Sequence, residues 1–337
     1  MIVEAIRKVV GGKDLDNDEA TSVMEEIMSG KTTDAQIGAF ITALRMKGET
    51  VEEISGFAKV MRDHATRITP KVDEVIDTCG TGGDAPDTFN ISTATAFVAA
   101  GAGVHVAKHG NRSVSSQCGS ADVLLELGVN IELSPDAVEE CLDEVGIGFL
   151  FAPSLHKAMK YAIGPRREIG IRTVFNILGP LCNPAFATAQ VLGVYDPLLT
   201  SVMAKVLGDL GTKHALVVHG ADRMDEISNT GESIIAEFKN GELSEYHITP
   251  EQFGLTRCNI DALQGGGKSE CAKILGDVLS GKTGPQRDVV LLNSAAALIA
   301  ADKANNFESG IKMAAESIDT GAAQEKLEKL IEFSNKA

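Results

Sequence analysis

Between Ala107 and Ser116 the chain reads AKHGNRSVSS, placing a lysine, a histidine, an asparagine, an arginine and three serines around one glycine. Such a set can donate to an anion from many directions, with the glycine to bend the backbone around it. A second stretch, DTCGTGGDAPDTFNIST, runs from Asp77 to Thr93. Its Gly80, Gly82 and Gly83 let backbone N–H groups converge on an anion, and a helix opening near Ser92-Thr93 adds its positive end. A third, HGADRMDEIS, sets Asp225 and Glu226 side by side after an apolar run. Two hard-oxygen carboxylates beside a phosphate site suit Mg2+, which keeps several waters and bridges substrate phosphates.

Taken singly, each stretch has a plainer reading. A lone glycine cluster is commonly a strand-to-helix turn, and a lone Asp-Glu pair a solvated one. Two glycine loops on successive strand ends, facing an acidic pair expected as exposed loop carboxylates, favour a binding site. Rival motifs fail on context. Gly80, Gly82 and Ala85 fit the dinucleotide fingerprint in spacing, but Pro86 delays the helix and the next strand ends in Lys108-His109 rather than an acid. ALQGGGKS, Ala262 to Ser269, has alanine where a P-loop needs its first glycine, and reads as a loop and helix cap. In AIGPRREIGIRTVFNILGP, at least two of Arg166, Arg167 and Arg172 read as solvated or paired with Glu168, and Pro165 with the nearby glycines as a bend. His105 reads as a strand residue of the core, whereas His109 is open to either role. No nucleophile with a paired base can be picked out.

These loops need a sheet to carry them. Short apolar runs at 72–77, 104–108, 147–151, 191–195 and 214–219 read as strands, followed by a hairpin 233–238/243–248 turning at Asn240-Gly241. Helices are expected to begin at Ser92, Ser120, Ser134-Pro135 and Asp196-Pro197. Strands alternating with helices imply a mostly parallel central sheet whose ligands bind at the strands' carboxyl ends. Residues 1–70 instead show helical periodicity. Ile2, Ile6, Val9 and Val10 form one stripe, and Ala20, Val23, Met24, Ile27 and Met28 a second, started near Asp18. Thr33 with Gln36 and Thr50 with Glu53 are capping boxes, and Pro70 breaks the pattern. The fold class is therefore α/β: a small N-terminal helical domain, 1–70, with a returning segment near 164–185, and a larger α/β domain, 71–337.

The chain has 337 residues, 31 Lys+Arg against 47 Asp+Glu, and a formal net charge of −16, which disfavours nucleic acid and anionic membrane as partners. Any anionic ligand must be gripped locally. The six cysteines form no metal-ligand spacing and read as reduced thiols of a cytoplasmic protein.

Together CGTGGD, FNIST, KHGNRSVSS, GSADVL, RREIGIRTVFNILGPL and DEIS resemble the anthranilate phosphoribosyltransferase family, in family order and over nearly the whole chain. The resemblance implies transfer from 5-phosphoribosyl-1-diphosphate to anthranilate, with release of diphosphate, in tryptophan biosynthesis. It implies a donor site lined by Gly80, Gly83, Asp84 and Thr88, then by Asn90, Ile91, Ser92 and Thr93. Lys108, His109, Gly110, Asn111 and Arg112 continue it, and Ser113, Val114, Ser115, Ser116 and Ser120 complete it. Ser92, Asp225 and Glu226 match the family's Mg2+ ligands, and Gly80, Asn111 and Arg166 its anthranilate contacts. A homodimer through the N-terminal helices is expected. The family commonly has glycine where this chain has Arg223, ahead of Met224 and the acidic pair. Pyrimidine nucleoside phosphorylases share the fold and a similar KHGNR loop. A non-catalytic anion-binding relative is the other alternative, and should lack Asp225-Glu226.

Overall fold

Helix α1 (Ile2–Val10) turns Ile2, Ala5 and Val9 inward, while Val10, expected in the stripe, is 71% exposed. Reciprocal capping boxes start the next three helices: Asp16 with Glu19 for α2 (Asn17–Met28), Thr33 with Gln36 for α3 (Asp34–Lys47), and Thr50 with Glu53 for α4 (Val51–Asp63). The α2 cap is Asp16 rather than Asp18. Glu53 is fully buried yet satisfied, accepting from Leu15 N at 2.9 Å and pairing with Lys47 Nζ at 2.9 Å. One carboxylate thus ties three segments of the bundle. The computed structural model describes residues 1–83, 87–113 and 117–337.

The sheet is built in two directions from its centre. After β1 (Ile76–Gly80), helix α5 (Ile91–Gly101) leads to β2 (Val106–Gly110). Then α6 (Ser120–Glu126) and α7 (Pro135–Glu144) lead to β3 (Ile147–Phe151). The chain crosses through α8 (Ala152–Leu155), α9 (Lys160–Ile169) and α10 (Phe175–Leu178) to β4 (Ala189–Gly193) on the other side of β1. Helix α11 (Leu199–Asp209), β5 (His214–Gly220) and the hairpin β6 (Ser233–Lys239) and β7 (Glu242–Ile248) follow. The strand order is β3-β2-β1-β4-β5-β6-β7, parallel through β5 and antiparallel beyond it. The winding reverses between β1 and β4, where open α/β sheets form their ligand crevice.

Both faces of the sheet are covered. Ala189 and Val191 of β4 and Leu216 and Val218 of β5 join a core with α5 and the C-terminal helices α12 (Lys268–Leu279), α13 (Pro285–Ala300), α14 (Phe307–Asp319) and α15 (Ala322–Ser334). The alternate residues Leu192, Ala215 and Val217 join the opposite core with α11 and helices α1–α4. This period of two is what a sheet buried on both faces requires. Helix α9 packs against α3 and α2. Pro165 lies inside α9, so the expected bend falls instead at Gly170, a left-handed C-cap with φ of 67°.

Three strands sit off their expected positions: β1 begins at Ile76 rather than Val72, β2 at Val106 rather than Val104, and β4 at Ala189 rather than Val191. The shifts take Thr78, His109 and Gln190 into the ladder with partners supplied from afar. Thr78 Oγ1 donates to Ser92 O at 3.1 Å, the His109 and His156 Nε2 atoms lie 3.2 Å apart, and Gln190 Nε2 donates to Pro180 O at 2.8 Å. His105 precedes β2 and is only half buried. Helix α5 starts at Ile91, one residue early, and α11 at Leu199, with Asp196-Pro197 forming the turn before it.

Between β5 and β6 the chain passes through Asp222 and Arg223 at φ of 58° and 64°, the left-handed region that disfavours side chains. Arg223 stands where the resemblance leads to an expectation of glycine, the residue that the left-handed region favours. Its side chain is exposed. Left-handed strain is worth roughly 1–2 kcal/mol and the added unfolded-state freedom of glycine offsets part of it, so Arg223→Gly should stabilise by about 0.5–1 kcal/mol in urea unfolding. Loss of stability would show that the Arg223 side chain compensates for its own backbone.

Candidate functional site

The carboxyl ends of β1, β2, β4 and β5 bring the three chemistry-bearing stretches together. Residues 80–83 leave β1 and are held from two sides. Thr81 N donates to Gly193 O at 2.9 Å, and Tyr195 N donates to Thr81 Oγ1 at 3.2 Å. Gly82 N, expected to face an anion, instead donates to Asp225 Oδ2 at 2.7 Å. Gly80 must be glycine here, since a Cβ would fall 2.2 Å from Asp225 Oδ2. The loop also rests on the GGG segment: Phe89 N donates to Leu263 O at 3.0 Å and Gly265 N to Asp87 O at 3.0 Å. That segment is a loop followed by α12, as expected, and its third glycine, Gly267, is the N-cap.

No side chain caps α5, but Ile91 N donates to Phe89 O at 2.6 Å and Thr93 N and Ala94 N donate to Asn90 O at 3.0 and 3.1 Å, so of the first-turn N–H groups that of Ser92 is left for a ligand. Asn90 Nδ2 donates to Cys118 O at 3.1 Å, which joins the first loop to the second. Ser92 is half buried beside Lys108, whereas Ile91 and Thr93 are fully buried. Thr93 lines a cavity of about 10 Å³ with Phe97, Leu124 and Phe149, on the core side of the helix. Thr88 forms an isolated bridge with Gln264.

Lys108 is 3% exposed, and its Nζ donates to Thr78 O at 2.6 Å and Ser92 Oγ at 3.3 Å. Burial lowers its pKa, while the charges of Asp77 and Glu226 act the other way. Two of its three donors are engaged. Beyond it Ser120 Oγ and Ala121 N both donate to Asn111 O, at 3.3 and 3.1 Å, and Ser113 N donates to Asp122 Oδ2 at 3.0 Å. Gly110 is packed against Ser120 and Phe149, where a Cβ would fall 2.3 Å from Ser120 Oγ. Arg112 is exposed, with its guanidinium 6.0 Å from the Phe151 ring centroid. Asp84, Val114, Ser115 and Ser116 lie outside the described residues.

The acidic pair differs from the exposed turn expected of it. Asp225 is 6% exposed and Glu226 half buried, and burial raises the Asp225 pKa. The turn is rigidly placed: Asn293 of α13 accepts from Ile227 N at 3.0 Å and donates to Ile227 O at 2.8 Å. Two carboxylates and the Ser92 hydroxyl are the hard donors Mg2+ prefers. Among the described residues no group of three or more His, Cys, Asp or Glu gathers.

Arg166 is half buried on α9, its guanidinium 5.2 Å from the Phe175 ring centroid, and among the described residues no carboxylate pairs with it. No hydrogen bond joins it to Gly80 or Asn111. Arg167 is exposed. Arg172, expected to be structural or solvated, donates to the Gly83 carbonyl.

Several neighbours of the site carry no sequence motif. Asp77 is fully buried under Lys108, accepting from Asn183 Nδ2 at 2.8 Å, and burial pushes its pKa up to about 6. His109 and His156 are buried with their Nε2 atoms 3.2 Å apart, and burial lowers both pKa values, that of His156 to about 4. They are neutral imidazoles near pH 7.

The sequence matches the helical bundle domain of the glycosyl transferase family over residues 3–65 and the family's a/b domain over residues 72–324. It is 56% identical over 335 residues to an anthranilate phosphoribosyltransferase of Acetivibrio thermocellus, covering 99% of this chain and 97% of that protein. The structure superposes on the anthranilate phosphoribosyltransferase of Thermus thermophilus with a TM-score of 0.93 and 40% identity, covering 98% of this chain and 99% of the other. The Saccharomyces cerevisiae enzyme, solved in complex with PRPP and Mg, matches with a TM-score of 0.91 and 28% identity over 100% of this chain and 98% of that one. The same yeast protein has also been solved in complex with 4-fluoroanthranilate. The two-domain match and the full-length identity place the chain in the anthranilate phosphoribosyltransferase family of glycosyl transferases.

Proposed function

We propose that this chain transfers the 5-phosphoribosyl group of 5-phosphoribosyl-1-diphosphate to the amine of anthranilate, releasing diphosphate, as a step of tryptophan biosynthesis. The observation that carries the reading is the full-length likeness, above half identity, to proteins named for that reaction. The donor's phosphates fit the loops after β1 and β2 and the uncapped start of α5. The reaction breaks the ribose C1–O bond, whose electron pair leaves with diphosphate, and forms a C1–N bond from the amine lone pair. The amine then loses a proton. An arylamine is neutral before attack, so no strong base is needed early, in keeping with the absence of a nucleophile–base pair in the sequence. Ser92, Asp225 and Glu226 are the residues that would hold Mg2+, which when bound supplies charge neutralisation to the departing diphosphate. Lys108 adds a second positive charge, and backbone N–H groups fixed before reaction complete the stabilisation. Positioning is the remaining contribution.

Arg166 is the residue we assign to the anthranilate carboxylate. A guanidinium can hold a carboxylate through two parallel bonds, and this one is half buried with no carboxylate paired to it among the described residues. We also take residues 1–70 with the segment near 164–185 as the acceptor-side domain and 71–337 as the donor-side domain. The protein is a cytoplasmic homodimer in this reading. Val3 and Val10 of α1, Met46 of α3, and Tyr161 and Ile163 of α9 are exposed apolar side chains on three helices that pack side by side. Sedimentation at micromolar concentration is expected to show a dimer, and a monomer would remove that part of the proposal.

Loss of anthranilate fluorescence on addition of 5-phosphoribosyl-1-diphosphate, with and without Mg2+, tests the activity. Mg2+-dependent consumption is expected. Phosphate-dependent release of base from thymidine or uridine, without anthranilate consumption, would make the protein a nucleoside phosphorylase instead. In the same assay Arg166→Ala should raise the anthranilate KM about 10- to 150-fold with the donor KM nearly unchanged, as loss of a charged hydrogen bond to an unreacting group requires. Arg166→Lys should recover only part, since a point charge cannot reproduce the fork. A larger anthranilate defect in Arg167→Ala would move the assignment.

A further inference from the structure

We infer that Arg172 is a positioning residue for the donor substrate, acting through the Gly83 carbonyl to hold the Gly80–Gly83 loop in its anion-binding form. The inference rests on the proposed transfer reaction. Its starting observation is that Arg172 crosses from the segment after α9 to donate Nη2 to Gly83 O. The guanidinium lies 4.4 Å from the Tyr195 ring centroid. Tyr195 in turn donates its N–H to Thr81 Oγ1 at 3.2 Å. Arg172 and its aromatic platform therefore meet the same four-residue loop at two points.

The chemistry of an anion cradle gives this contact its purpose. A loop that receives diphosphate must turn its carbonyls away from the ligand, since their oxygens repel it. At Gly83 the carbonyl oxygen is taken up by a cationic donor. Thr81 N is held by Gly193 O and Gly82 N by Asp225 Oδ2. The loop is thus fixed by the end of β4, by the acidic turn after β5 and by Arg172. Of these holds, only the last comes from the segment that carries Arg166. Gly83 has φ of 73°, and a Cβ there would fall 2.5 Å from Arg172 Nη2, so residue type and conformation at 83 are both matched to the arginine.

The geometry also explains why lysine would not serve. A planar guanidinium can lie on an aromatic face and donate in its own plane at once, whereas an ammonium on the Tyr195 ring would turn its donors elsewhere. Arg172 thus differs in setting from Arg166, six residues earlier, whose guanidinium lies 5.2 Å from the Phe175 ring centroid.

Steady-state kinetics and calorimetric titration of 5-phosphoribosyl-1-diphosphate on wild type, Arg172→Gln, Arg172→Lys and Tyr195→Leu test the inference. Wild-type turnover is established first, so that failure of the transfer reading is seen separately. Arg172→Gln should raise both the donor KM and the donor Kd about 10-fold or more, as loss of a charge-assisted bond implies, with the anthranilate KM within about two-fold. Arg172→Lys should recover part, and Tyr195→Leu should reproduce part, because it removes the platform and leaves the charge. Unchanged donor constants in folded Arg172→Gln would overturn the inference. So would a defect confined to the anthranilate KM, or a silent Tyr195→Leu beside a large Arg172 effect, which would mean a direct contact between Arg172 and phosphate. Should Arg172→Gln fail to fold, the Tyr195→Leu donor Kd alone decides.

Discussion

Asp225 can reach the anion site only because two glycines face each other beneath it. Gly80 and Gly193 are register partners at the ends of β1 and β4. A Cβ on Gly193 would fall 1.3 Å from the Asp225 carbonyl oxygen, and one on Gly80 would fall 2.2 Å from its carboxylate. The bare backbone lets the acidic turn lie across the two strand ends, and the carboxylate then takes the Gly82 N–H. These are the strands between which the winding of the sheet reverses. Topology opens the crevice there, and the glycines let the acidic pair into it.

The charges at this point are buried, and burial has a cost that partners must offset. Asp77 lies under Lys108 and is tied by Asn183, which also donates to Ala107 O at 2.8 Å. Helix α13 sends Asn293 to fix the acidic turn. In a protein of net charge −16 a buried lysine and the loop after β1 are thus held in place by a few well-braced groups. Much of the α/β domain contributes to that bracing.

What sequence could show followed the range of the interactions involved. The capping boxes at Thr33 and Thr50 are local, three residues from donor to acceptor, and their helices stand where periodicity puts them. The hairpin at Asn240-Gly241 is local too, with φ of 50° and 90° at the two residues. Strands β1, β2 and β4 are displaced because apolar runs are a poor guide where Thr78, His109 and Gln190 are buried with distant partners. The glycine loops and the acidic pair are legible as types of site. The burial of Asp225 is not, since it depends on Gly193, and nothing in DEIS reports on that residue. The role of Arg172 is hidden for the same reason: its partner Gly83 lies 89 residues away in sequence.

The central claim is that the Asp225 carboxylate serves Mg2+ and the donor together. Calorimetric titration of 5-phosphoribosyl-1-diphosphate into wild type and Asp225→Asn, with and without Mg2+, tests it most directly. Asparagine keeps an oxygen to accept from Gly82 N–H, so the loop is retained while the charge is removed. In wild type Mg2+ should tighten donor binding, and in the variant most of that gain, about 10-fold or more, should be lost. A folded variant whose donor affinity kept the wild-type response to Mg2+ would contradict the account.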